Sequence, residues 1–599
     1  MVCHRFALTQ LTALSESAVQ EEGIKMKKTA KKLLVSVLIM GITVSMLAGC
    51  GSESRGPSST GNDPQSSTLD PAPNAGTTGG SQLTVAVGSQ FTTFDPALNT
   101  EIWNAYVTTH MFSGMFRKGP NEEVINDLCE SYEVSEDGLT YTFHMVSDAV
   151  WSDGVPITAY DFEYSYLRAL SYGEDNGYTL ALCEMSNIEG ADKYREAALL
   201  EGKAFDCTTA DHSYVGIEAV DDTTLVLRLN TPCGYLTNLM SIFVWIPVRE
   251  DFAPQHESLW AFDGGYPTSG AYTLTECNEQ EKAVLSKNPN YRFADEVTME
   301  TIRFLCMPSE DSQAFAYQTG EIDVALGIST ESAITYKNED SEELWIMPQP
   351  SNYFLAINSG PTGPDWAKDV RVRRALALAI DKEDLVSVLG GSLFYPVLNG
   401  YVPDGIRGED DFFRAEGDAD GYTLTYDPGQ ARALLAEAGY DESNPLRITY
   451  KYTTSIFHGD IATKLQQMWK EVGVIVEPVG ASDGAFWTQL DQGDFEIARY
   501  GFAFTDSAFQ YLNMWTTDMQ IVPAVSSPEY DRMIAEAHMI TDPSEFNAAL
   551  HAAEDYLVEE NVYLIPLFNF NVPALVHSNV KGYTMAGFAP YFAYTTITE

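Results

Sequence analysis

Basic residues are scarce in this chain. Its 599 residues hold 35 Lys and Arg against 85 Asp and Glu, a formal net charge of −50. Such a surface repels phosphate backbones, which argues against a nucleic-acid partner. Cysteine is scarce too: there are eight, and none fall in the C-x-x-C spacing of a zinc or thiol redox site. G-x-S-x-G, H-E-x-x-H and an S-x-x-K set with its partner motifs are all missing, and the nine histidines are scattered without ligand spacing. No catalytic residue, metal site or cofactor is therefore assigned. A secreted hydrolase using an acid pair remains a remote alternative, since nothing singles out a carboxylate. Disorder throughout is excluded by the 45% hydrophobic and 12% aromatic content. The length exceeds what one core organises, so at least two domains are expected.

Long apolar runs are absent as well, bar one. Lys27, Lys28, Lys31 and Lys32 precede Leu33 to Ala48, an apolar stretch of about 16 residues, short of the roughly 20 that span a bilayer. A basic stretch, a short apolar core and small residues before a cut site make a secretory signal. Its ending, Leu47-Ala48-Gly49-Cys50, resembles the bacterial lipoprotein box, which implies lipidation of Cys50 and anchoring to the cell membrane. Met1 to Lys25 lacks the features of a signal, so translation is expected to start at Met26. From Gly51 to Ser81 the chain is Gly, Ser, Thr, Pro and Asn with almost no apolar content, a flexible tether. Residues 1–49 are thus read as an upstream extension and signal, and 50–81 as lipidated cysteine and linker. The other cysteines are Cys129, Cys183, Cys207, Cys233, Cys277 and Cys306, besides Cys3. Export permits disulfides, but sequence leaves pairing and buried free thiols both open.

Past residue 82 short β-rich runs alternate with helical ones. Leu83–Val87, Tyr141–Met145 and Thr224–Leu229 read as strands. Asp369–Leu389 carries apolar residues at helical spacing, with its arginines expected to pair with nearby acids. Ala431–Ala438, closed by Gly439, is a helix with a glycine stop. Ile461–Val472 is amphipathic, with Leu465, Met468 and Trp469 on one face, and is followed by the strand Val474–Val476. Mixed elements throughout indicate α/β lobes. Trp151 is expected in the core.

Several blocks then become specific. They include Glu130-Ser131-Tyr132, Asp148-Ala149-Val150-Trp151-Ser152-Asp153-Gly154 and Pro156-Ile157-Thr158-Ala159-Tyr160-Asp161-Phe162. In the same order follow Val220 to Leu225, Ser269-Gly270-Ala271-Tyr272, Gly320 to Asp323, Asp369 to Leu376 and Leu434 to Tyr440. This succession resembles the oligopeptide/dipeptide-binding proteins, the solute-binding family 5 of bacterial ABC importers. The resemblance covers roughly residues 83 to 599. It implies an α/β, two-lobed periplasmic-binding-protein-like fold of class II, in the large cluster with an extra subdomain and a ligand cleft at the hinge. Lobe I is expected at 82–112, 236–350 and 566–599, its extra subdomain at 113–235, and lobe II at 351–565. The implied activity is capture of peptides and their delivery to a permease and its ATPase subunits, by a monomer. A metal chelate, an opine or haem as ligand, or a peptide received as a signal, are the alternatives that relatives of the fold suggest.

A binder of many peptides must recognise their shared backbone and charged ends. The resemblance points to Thr100, Glu101, Ile102 and Trp103 as main-chain partners in lobe I, with Ser269 and Gly270 as further contacts. In lobe II it points to the strand bearing Gly501, Phe502 and Ala503. Peptide binders of the family usually hold the ammonium with an Asp at the position of Thr505; here Asp506 lies one residue on, and a one-residue slip turns a strand side chain to the opposite face. Asp506 is the ammonium candidate. Arg499 and His458 match positions that meet a peptide carboxylate, Arg through its planar fork and His as a donor strengthened by protonation.

Overall fold

The computed structural model describes residues 82–119, 121–172, 187–202, 205–253, 264–419, 421–503, 507–517, 519 and 523–598. Strand β1 (Gln82–Val87) runs between two parallel neighbours, and only Gln82 is exposed, as expected of a strand covered on both faces. Two short paired strands follow, β2 (Phe116–Lys118) and β3 (Val124–Asn126). A small antiparallel sheet comes next, built from β4 (Cys129–Val134), β5 (Thr140–Met145), β6 (Ile217–Asp221) and β7 (Thr224–Arg228) in the order β4-β5-β7-β6. Burial alternates along β5 and β7, so one face of that sheet is inward. Phe143, Met145, Leu225 and Leu227 point to a core shared with the helix Ala159–Ser171, Trp151 and Trp245.

The chain then supplies β8 (Tyr272–Asn278), β9 (Lys282–Lys287), β10 (Thr301–Cys306), β11 (Val324–Ala325) and β12 (Leu344–Ile357). It continues with β13 (Arg447–Thr453), β14 (Ile475–Ala481), β15 (Ile497–Ala503) and β16 (Leu564–Val576). Together with β1 these form one ten-stranded sheet, ordered β14-β13-β15-β12-β16-β11-β1-β10-β9-β8. Two lobes share it. One packs Leu83, Val85, Phe304 and Tyr272 around β1 and β8–β10; the other packs Leu355, Tyr450, Leu465 and Trp469 around β12–β15.

The seam is the antiparallel pair β12–β16, of 14 and 13 residues. Its register runs from Leu344↔Leu575 to Pro348↔Asn571, slips, and resumes at Asn352↔Asn569. Gln349, Pro350 and Ser351 therefore stand opposite Phe570 alone, a bulge that bends the sheet where it passes between lobes. Pro348, Pro350, Pro566 and Pro573 withhold four ladder donors from this pair. Outside the seam, Tyr235 stacks on Phe509 at 5.1 Å, bridging the small-sheet module and the β15 lobe.

Three helix readings change. The run Asp369–Leu389 splits into Val370–Leu378 and Lys382–Ser387, because Asp381 caps the second helix by accepting from the Asp384 N–H at 3.0 Å. Arg371 pairs with Asp369, but among the described residues Arg373 and Arg374 make no ion pair: they donate to the carbonyls of Asn561, Ala367 and Glu559 and brace the helix to the chain entering β16. The helix expected from Ile461 begins at Ile456, where Ser455 Oγ accepts from His458 N–H at 3.1 Å. Gly439 stops its helix with φ +91°. Trp151 is buried completely. Cys129, Cys207, Cys277 and Cys306 are free thiols, and Cys50 and Cys183 lie outside the described residues. Among the described residues no helix is long and apolar enough to cross a membrane.

Candidate ligand-binding site

β15 carries the densest group of candidates. It pairs with β12 along its whole length, Ser351↔Ala503 to Ile357↔Ile497, but with β13 only at Tyr450↔Ile497 and Lys451↔Ala498. The N–H of Phe502 turns toward β12 and donates to Asn352 Oδ1 at 2.9 Å. Backbone groups alternate in direction along a strand, so those of Gly501 and Ala503 face the other edge, past the point where β13 stops pairing. Among the described residues no strand pairs with that edge. Gly501 is required for a separate reason: a Cβ there would lie 2.6 Å from the Asn352 carbonyl oxygen. The Phe502 side chain is core, stacked near Phe354 and Tyr500. Phe504, Thr505 and Asp506 lie outside the described residues, so the ammonium candidate has no described position.

On the opposite face of β15 from Tyr500 and Phe502 sits Arg499, only 3% exposed. Its guanidinium lies against the rings of Phe486 and Trp487 at 5.0 and 5.3 Å and donates to Thr453 Oγ1. Its Nε has no partner among the described residues, and no carboxylate there pairs with it. Burial pushes its pKa below the usual arginine value. His458, in the first turn of its helix and 1% exposed, puts Nδ1 3.2 Å from Tyr353 Oη. Its Nε2 has no partner among the described residues. Burial, then the charge of Arg499, lowers the His458 pKa to about 3. Both causes disfavour the protonated form that would strengthen His458 as a donor, so in the ligand-free protein the imidazole is held neutral. The structure does bring Arg499 and His458 into one cluster, around Tyr353 and Tyr450.

The lobe I candidates are placed apart from this cluster. Thr100 is exposed, and Glu101 opens the helix Ile102–Met111, its N–H donating to Asn99 Oδ1 at 2.9 Å. Ile102 and Trp103 are half-buried; Trp103 covers Gly88 at the end of β1, where a Cβ would fall 2.7 Å from its ring. Ser269 and Gly270 have their polar groups engaged internally. Ser269 Oγ accepts from Ser113 N–H at 2.8 Å, Gly270 N–H donates to the Met111 carbonyl, and the Gly270 carbonyl accepts from Asn288. Both clasp the end of that helix. Tyr353, Tyr450, Thr453, Phe486 and Trp487 were not singled out from sequence. The Phe486-Trp487 pair and the alternation Tyr450-x-Tyr452 are visible there, but only the fold brings them to Arg499.

Residues 123–521 match the family described as bacterial extracellular solute-binding proteins, family 5 Middle. The periplasmic oligopeptide-binding protein OppA of Escherichia coli K12 is 29% identical over 505 residues, 83% of this chain and 88% of its own. The probable deoxycholate-binding periplasmic protein YgiS of the same organism is 27% identical, covering 82% and 89%. Among solved structures, the murein tripeptide binding protein MppA in its unliganded open form superposes with a TM-score of 0.74 at 24% identity, over 86% of this chain and 97% of that one. The sheet, the seam and the matched span agree, and the chain belongs to the bacterial extracellular solute-binding proteins of family 5.

Proposed function

We propose that this protein captures peptides outside the cytoplasm and passes them to an ABC importer permease and its ATPase subunits. The single observation that carries the reading is Arg499: a buried guanidinium in a ring-walled site that makes no ion-pair contact among the described residues, Asp483 acting on it only from a distance. Leaving a charge buried and unpaired is costly, so such a group is suited to an arriving anion. A peptide's terminal carboxylate fits, and the open edge at Gly501 and Ala503 suits its extended backbone, added as a strand. OppA, named for oligopeptides, supports the same ligand class. In this reading β12 and β16 are the hinge crossings between lobe I (82–112, 236–350, 566–599, with the subdomain 113–235) and lobe II (351–565). Asp506 holds the ammonium, and Thr100–Trp103 meets the backbone from lobe I. The protein works as a monomer, tethered by lipid on Cys50.

Calorimetric titration with one peptide as free acid, carboxyl-amide and amino-acetylated form tests the reading. The free acid binds tightest, and the amide loses about tenfold or more, the worth of a charge-assisted contact. Equal binding of acid and amide contradicts the assignment. Membrane attachment is tested separately: Cys50→Ala releases the protein from the cell surface if the lipid anchor is real, and leaves it in place otherwise.

A further inference from the structure

Two hydroxyls beside Arg499 have no role in that account. Tyr353 on β12 and Tyr450 on β13 are both buried, with their hydroxyl oxygens 3.5 Å apart, and Tyr353 Oη is also 3.2 Å from His458 Nδ1. The Tyr353 ring is fixed by stacking on Phe568 at 4.9 Å, so the hydroxyl is held in place from the far side. A neutral imidazole has one N–H and one lone pair, and the tautomer decides which nitrogen donates and which accepts. If Nδ1 carried the proton, Nε2 would turn a bare lone pair toward an incoming carboxylate and repel it.

We propose that Tyr450 and Tyr353 are positioning residues that hold His458 in the tautomer protonated at Nε2, so that a neutral imidazole donates to the ligand's carboxylate beside Arg499. In this arrangement the Tyr450 hydroxyl donates to Tyr353 Oη, and the Tyr353 hydroxyl donates to His458 Nδ1. The Nε2–H, unpartnered among the described residues, is left for the ligand. Tyr353 gives one proton and receives one bond, and Tyr450, at the head of the chain, gives one. Burial and the Arg499 charge keep the ring neutral. The subsite then offers one positive charge to one negative charge, which selects a monoanionic carboxylate. The inference rests on the carboxylate reading above.

The test uses the full chain. Long-range proton–nitrogen spectra of ligand-free protein labelled at histidine nitrogens report each tautomer, and the signal absent from His458→Asn assigns His458. The wild type is expected to show Nε2 protonated and Nδ1 bare at pH 7. Tyr353→Phe keeps the ring and its stack while removing the hydroxyl. It is expected to mix the tautomers and to weaken a free-acid peptide about tenfold, with its carboxyl-amide unchanged. Tyr450→Phe follows in the same direction with a smaller loss, about threefold. A wild-type His458 protonated at Nδ1 overturns the proposal, as does equal weakening of acid and amide in Tyr353→Phe. A wild type that does not separate acid from amide retires the carboxylate reading instead, while the ligand-free tautomer still decides the relay.

Discussion

Arg168 and Arg499 are each 3% exposed, yet their surroundings differ in kind. Arg168 grips Asp95 with both oxygens, at 2.9 and 2.5 Å, tying the helix Ala159–Ser171 to the loop after β1. Arg414 is held likewise by Glu554 at 2.7 Å, with the Tyr401 and Val402 N–H groups satisfying the other carboxylate oxygen. Arg499 has a hydroxyl and two ring faces. The histidines repeat the contrast. His110 donates from Nδ1 to the Tyr106 carbonyl at 2.8 Å and accepts at Nε2 from Phe592 N–H at 2.9 Å, so both nitrogens are spent on structure. His458 spends one. Buried polar groups with full partner sets hold a fold together; under the proposed function, the gaps at Arg499 and His458 are what the ligand fills.

The comparison can be broken most sharply at the filled sets. Glu554→Gln removes the buried one of Arg414's two carboxylate partners and leaves only the more exposed Asp418, and denaturant unfolding is expected to show a loss of about 3 kcal/mol. His110 supplies the next largest effect. Its folded pKa is lowered to about 4 by burial, so below the ordinary value of 6.5 the unfolded chain takes up a proton that the folded one refuses. Stability therefore falls as pH drops from about 6.5 to 4, by about 3 kcal/mol from this residue. His110→Gln should show that much less acid sensitivity, measured as the difference in slope between variant and wild type.

Gly501→Ala sharpens the comparison at the strand edge. The new methyl meets the Asn352 carbonyl, and a cost of about 2 kcal/mol with weakened peptide binding is expected from unfolding and titration together. Smallest of all is the pH response of binding itself. A neutral His458 gives an affinity for acetylated free-acid peptides that stays within about twofold from pH 5 to 7. A steep rise toward pH 5 would mean the imidazole charges on binding.

Much of the fold was legible in the sequence because it is written locally. The alternation of Leu83–Val87 and Tyr141–Met145 marks strands that the structure contains, and Leu465, Met468 and Trp469 do share a buried helix face. What failed was also local in cause: the capping side chain of Asp381 interrupts a run whose apolar spacing reads straight through it. The candidate site was legible only in part. Arg499 and His458 stood out by matched position, but the charge state of His458 depends on burial by segments about a hundred residues away, Tyr353 among them. No local pattern encodes that. Ser269 and Gly270 carry the family's spacing, and their polar groups serve the helix end they clasp.

Arg499→Met tests the central claim most directly, because it removes the charge and keeps an apolar stem between Phe486 and Trp487. If Arg499 is reserved for a ligand, the free protein gains about 1 kcal/mol in unfolding free energy, and the advantage of free-acid over amidated peptide disappears. A free protein destabilised as Glu554→Gln is, or a variant that still prefers the free acid, would contradict it.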